Sequence, residues 1–275
     1  MRSTLIAAST VVLGAITLAA PAAAQIRAPE SAVETANEVD EPSSEWRISV
    51  GGAALLRPEW DGAKNQDWLV APDVDVRWRD QFFASFRTGV GWNLVNENGL
   101  RVGPYAKLKF GRDEGDDVAL RGLGDVDPTI EVGGFADWAW GPVRASLEIR
   151  QGVGGHEGLV AEAGVDARAR LGDQVFVSVG PRIRWADGQY TQTYFGVTPT
   201  QSVRSGLPVF TAGGGVESSG INVSVGWRPN DRLVITAFGE QSVLDGDAGE
   251  SPLVRLRGDK DQQRFGLAFG WRLGE

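Results

Sequence analysis

The sequence predicts an all-β protein: a transmembrane antiparallel up-and-down β-barrel of about 12 strands, within a range of roughly 10 to 14. Three observations carry the prediction. The first is alternation. Leu159, Ala161, Ala163, Val165, Ala167, Ala169 and Leu171 interleave with Val160, Glu162, Gly164, Asp166, Arg168 and Arg170. After Gly172-Asp173-Gln174, Val175, Val177, Val179, Pro181, Ile183 and Trp185 form one face, and Phe176, Ser178, Gly180, Arg182 and Arg184 the other. Successive strand side chains point to opposite faces, so each arm has an apolar side and a polar side. The second is length. Both arms exceed the ~5–6 residues common in soluble strands and reach the roughly 9–11 that cross a bilayer. The third is composition. With 42% hydrophobic residues and a mean hydropathy of −0.17 the chain looks soluble. Barrels do, because only alternate residues meet lipid. A soluble sandwich shares the alternation; strand length and repetition favour the barrel.

The 37 Gly suit turns and crowded strands, and the 10 Trp suit interfacial girdles. The absence of Cys excludes a disulfide framework and a thiolate metal site. A net charge of −9 argues against nucleic acid as a partner. Residues 1–24 read as a signal peptide: Arg2, an apolar run from Leu5 to Ala20, and Ala22-Ala23-Ala24 before a cut at Gln25. Residues 25–45 read as a flexible acidic periplasmic tail, with Glu30, Glu34, Glu38, Asp40, Glu41 and Glu45 against Arg27. Residues 46–275 read as the barrel.

Strands are expected near 46–56, 69–79, 82–95, 100–110, 128–140 and 143–151. The paired arms 159–171 and 175–185 follow, then 208–216, 221–228, 232–243 and 262–273. Residues 187–207 read as a long loop region with room for a short strand near Tyr190 to Val197, which is not counted among the twelve. With both barrel ends periplasmic, this parity puts the 111–127 and 187–207 loops on the periplasmic side, although periplasmic connections are normally short. A three-residue turn in the hairpin sets Leu171 opposite Val175. That register places Glu162 opposite Arg184, Gly164 opposite Arg182, and Asp166 diagonal to Arg182.

Three stretches resemble the MipA/OmpV family of Gram-negative outer-membrane proteins. One runs Tyr194-Phe195-Gly196-Val197-Thr198, then Gln201-Ser202, then Ser205-Gly206-Leu207-Pro208. Another is Leu244-Asp245-Gly246-Asp247 with Ser251-Pro252-Leu253-Val254. The third is Val70 to Val95, with its proline-bearing strand and Phe82-Phe83 turn exit. The resemblance implies an outer-membrane barrel surrounded by lipid and lipopolysaccharide. It also implies a scaffold role, bridging a lytic murein transglycosylase and a penicillin-binding protein. Other members are described as adhesins or porin-like proteins. The family supplies no catalytic residues to carry over, and no cofactor.

Arg87, Arg101, Lys107, Lys109, Glu131, Asp137, Arg144, Glu148, Arg150, Glu162, Asp166, Arg168, Arg170, Arg182 and Arg184 fall on polar faces. An Arg or Lys facing lipid at mid-depth costs roughly 2–4 kcal/mol, so these side chains are expected in the lumen. A paired network filling a narrow barrel is favoured there; a cation-lined pore selecting anions is the alternative. His156 is the sole histidine, in Gly154-Gly155-His156-Glu157-Gly158. A hydrolase would need it beside a serine such as Ser146 or Ser178, and no nucleophile motif accompanies it. The acidic stretches Asp113–Asp127 and Asp245–Glu250 do not match calcium-loop spacing and read as solvated loops. The expectation is a monomeric, non-enzymatic envelope scaffold without cofactor or metal, with a narrow diffusion channel or an adhesin as the alternative.

Overall fold

The computed structural model describes residues 45–273. The expected leader, its cut and the acidic segment up to residue 44 lie outside them. Thirteen strands form one antiparallel sheet. They are β1 (Trp46–Pro58), β2 (Gln66–Trp78), β3 (Phe82–Ser85), β4 (Gly89–Trp92), β5 (Val95–Glu97), β6 (Leu100–Lys109) and β7 (Thr129–Trp140). Then come β8 (Val143–Gly154), β9 (Leu159–Leu171), β10 (Val175–Ala186), β11 (Gly215–Trp227), β12 (Leu233–Leu244) and β13 (Asp261–Leu273). β1 pairs with both β2 and β13, and β4 pairs with β6, so the sheet closes on itself. β4 and β5 both lie along β6 and share one place in the ring, so 13 − 1 gives a closed barrel of twelve.

Alternation sorts the two faces. On β13, Phe265, Leu267, Phe269, Trp271 and Leu273 are exposed, while Gln262 and Ala268 on the other face are buried. Trp46, Trp78, Trp92, Trp138, Trp140, Trp227 and Trp271 fall at the end where β7–β8, β9–β10 and β11–β12 are joined by short turns. Trp68 and Trp185 lie towards the other end and are exposed. Amphipathic rings settle at membrane interfaces, so these residues bracket the lipid-facing band. Bacterial barrels keep short turns on the periplasmic side, which puts the long connections outside the cell.

That sidedness corrects the parity expected from sequence. The 82–95 stretch is not one strand. Gly89, at φ +88°, turns it into the short β3–β4 hairpin, and β5 follows. The added passage reverses every later strand, so the 111–127 and 187–207 connections sit at the long-loop end. The count survives because 208–216 is not a strand either: a single strand, β11, replaces the expected pair. The stretch near Tyr190 is helical, not extended. Asp187 caps α1 (Gly188–Phe195) by accepting from the Tyr190 N–H at 2.9 Å. Thr198 and Gln201 form a capping box on α2 (Pro199–Ser205), and Gly206 ends that helix at φ +76°.

The hairpin register is as predicted: Leu171 faces Val175, Glu162 faces Arg184 and Gly164 faces Arg182.

Candidate functional site

The long connections fold together into a cap on the barrel. Beside α1 and α2 it contains α3 (Gly246–Glu250), α4 (Pro252–Arg257) and a 3-10 turn at Val118–Leu120. Trp60, Leu120, Leu123, Val126, Tyr190, Tyr194, Phe195, Val197, Leu207, Leu253 and Val254 form its apolar core. Hydrophobic burial drives this assembly, and specific bonds fix it. Ser251 Oγ donates to the Phe195 carbonyl at 2.6 Å and caps α4 at the Leu253 N–H. Arg112 Nη1 donates to the Tyr194 carbonyl at 2.8 Å. Trp60 Nε1 donates to Asp117 at 2.9 Å. Gly196 has no room for a side chain, because a Cβ there would meet the Gln192 carbonyl oxygen at 2.6 Å.

Two of the three stretches that carry the family resemblance therefore converge in the cap, while the third, Val70 to Val95, runs along barrel strands β2 to β5. Tyr194, Val197, Leu207 and Ser251 are buried in it; Gly196, Ser205, Gly206 and Pro252 shape its helix ends. The acidic 111–127 connection is not merely a solvated loop. Its Leu120, Leu123 and Val126 belong to the cap core.

Below the cap the lumen holds ion pairs. Arg150 is the hub: it lies 2.8 Å from Glu131 and 3.6 Å from Glu162, and also contacts Glu148. Its Nη1 donates to the Tyr105 hydroxyl at 3.1 Å, which donates to Glu148 at 2.6 Å. Arg184 Nε lies 2.8 Å from Glu217, and Arg184 Nη2 donates to the Tyr190 hydroxyl at 2.9 Å. Lys109 sits 3.7 Å from Asp61 and 4.5 Å from the Tyr194 ring. Arg264 bridges Glu240 at 3.1 Å and Asp61 at 2.8 Å. Such pairs are tolerated away from water only when nearly every charge has partners.

Nearer the short turns, Arg182 reaches Asp166 at 2.7 Å, and Arg144 reaches Asp137 at 3.0 Å with Arg101 at 4.0 Å. Arg87 comes from the β3–β4 turn, not from a strand, and grips Asp73 at 2.8 Å. Arg168 and Arg170 lie near the rim, where Arg170 donates to the Gly172 carbonyl of its own hairpin. Glu162 faces Arg184 by register, but the carboxylate 2.8 Å from Arg184 is Glu217. Alternation alone could not have found Glu217. A bulge opposite Arg184/Trp185 turns it inward against the parity of β11.

His156 is a buried partner of the network rather than a surface loop residue. Its Nε2 lies 3.1 Å from Glu131, its N–H donates to Thr129 Oγ1 at 3.0 Å, and its ring packs edge-on against Tyr190. The Thr129 bond is to the His156 main chain, and the partner of its ring Nε2 is Glu131, not Ser146 or Ser178. Among the described residues no cluster of three metal-binding side chains is found.

Closed strand order, apolar exterior, tryptophan girdle and polar interior define an outer-membrane β-barrel protein. A family model described as "MltA-interacting protein MipA" matches residues 50–273, and the chain belongs to that family. No curated protein matches it. Among solved structures, a "bacterial polysaccharide outer membrane secretin" is 8% identical, with a TM-score of 0.44, over 85% of this chain and 100% of that one. The NanC porin is 8% identical at TM-score 0.39, over 82% of this chain and 100% of that one. OprD from Pseudomonas aeruginosa is 13% identical at TM-score 0.35, over 86% of this chain and 62% of that one.

Proposed function

We propose that this chain is a non-conducting outer-membrane scaffold that works through its surfaces rather than through its lumen. The single observation that carries the reading is the cap. Its apolar core lies over a wall whose Lys109, Glu131, Arg150, His156 and Arg184 are all at most 3% exposed. A diffusion channel needs a continuous polar path with weakly held charges. Here those charges hold one another. The family description names a protein that interacts with MltA. On that basis the proposed partners are a lytic murein transglycosylase and a penicillin-binding protein, met on the periplasmic side by a monomeric barrel. No bond-making role is assigned to any residue. Affinity capture of the full chain from detergent-solubilised envelopes tests this. Recovery of murein hydrolases or synthases is expected; their absence together with solute flux in liposomes contradicts it.

A further inference from the structure

We propose that the short-turn end of the lumen is a binding site for a small multivalent oxyanion bearing carboxylate or phosphate groups. Three consecutive strands, β2, β1 and β13, each place an arginine there, and the turn leading into β12 adds Arg232. Arg77 and Arg47 are directly opposed across β1–β2. Arg272 and Arg232 are opposed across β12–β13, next to the Leu233–Trp271 pair, and the Arg272 N–H donates to the Arg232 carbonyl at 2.8 Å. Arg272 faces Ser49, two residues from Arg47. Like charges directly opposed across strands are destabilising, so such a row calls for compensation.

Two of the four have it among the described residues. Arg77 lies 3.0 Å from Asp75, and Arg47 pairs with Asp80. Among the described residues no carboxylate is paired with Arg232 or Arg272. Both line a solvent-open recess, which Ser49, Asp73, Asp75, Arg87 and Thr236 also line; Asp73 is held there by Arg87 and Asp75 by Arg77, which leaves Arg232 and Arg272 in excess. The wall beside them is bare: a Cβ on Gly270 would meet nothing within 4 Å. Guanidinium forks match oxyanions two bonds at a time, and a recess with an excess of one sign of charge concentrates the opposite sign. Two forks favour a ligand with at least two anionic groups. The cap covers the far end, so the ligand enters and leaves by one mouth. This site does not depend on the protein partners proposed above.

The test is calorimetric titration of the detergent-solubilised full chain with inorganic pyrophosphate, at constant ionic strength and with chloride as control. Saturable binding of one pyrophosphate per chain is expected. Arg232→Gln with Arg272→Gln should weaken it at least about tenfold. In anion-free buffer that double variant should melt no lower than the parent, because a repulsion has been removed. Gly270→Glu should place a carboxylate in the empty space and exclude pyrophosphate while the barrel still folds. Non-saturable binding, unchanged affinity in the double variant, or a lower melting point for it without anion would overturn the proposal.

Discussion

The Arg184 guanidinium donates to the Tyr190 hydroxyl at 2.9 Å and so ties the barrel wall to the cap. The same side chain lies 2.8 Å from Glu217. Removing one member of a buried pair strands the other, at a cost of about 3–5 kcal/mol. Arg184→Ala should therefore destabilise strongly. Tyr190→Phe, which removes only a hydroxyl, should cost about 1–2 kcal/mol. Urea unfolding in detergent, read by the mobility of folded barrel on gels, measures both.

Ser251 serves two segments at once, through the Phe195 carbonyl and the Leu253 N–H. Ser251→Ala leaves that buried carbonyl unsatisfied and removes a helix cap, together about 1–3 kcal/mol. Limited proteolysis should then cut in the long connections while the strands stay protected. Equal protection of both regions would count against a distinct cap.

A double-mutant cycle separates facing from pairing. Glu162 opposes Arg184 in register, yet Arg150 lies 3.6 Å from Glu162 and Glu217 lies 2.8 Å from Arg184. The coupling energy of Arg184 with Glu217 should exceed that of Arg184 with Glu162 by about 1 kcal/mol or more. Cycles of alanine variants read the difference directly.

The cap also carries a pH signature. Burial works against the Asp117 charge, but hydrogen bonds from the Ala119 N–H and Trp60 Nε1 outweigh it and hold its pKa below the ordinary 3.8. A depressed carboxyl stabilises the fold above its unfolded pKa and loses that contribution as pH falls through the folded value. Neighbouring Glu59 is shifted upward by burial and by the Asp117 charge, so its contribution has the opposite sign. In a Glu59→Gln background, amide protection at Ala119 should fall as pH drops below about 4. In Asp117→Asn with Glu59→Gln it should not change with pH.

Much of the barrel was legible because lipid on one side and a polar lumen on the other force alternation onto the chain. The 159–185 hairpin was readable to the residue, since a slip of one would turn every side chain over. The departures lie where other physics governs. Thr198-Pro199-Thr200-Gln201 is a capping box with proline in the first helical position, and Asp187 is a helix cap. Those local signals mark helices inside stretches whose apolar residues look strand-like. The β3–β4 hairpin rests on one left-handed glycine, Gly89, with no Asn-Gly or Asp-Gly pair to announce it. Glu217 depends on a bulge, which alternation cannot register. Placement of Tyr194, Phe195, Val197, Leu207, Leu253 and Val254 in one cap core is a long-range packing outcome, visible only once the barrel brings the connections together.

A scaffold with a capped barrel should not conduct, so the decisive measurement is the conductance of the purified full chain in planar bilayers. No steady ohmic current is predicted, because the apolar cap core lies over the buried Arg150 and Arg184 networks. A stable, ohmic, anion-selective current from the unmodified chain would contradict the scaffold reading and make the barrel a channel.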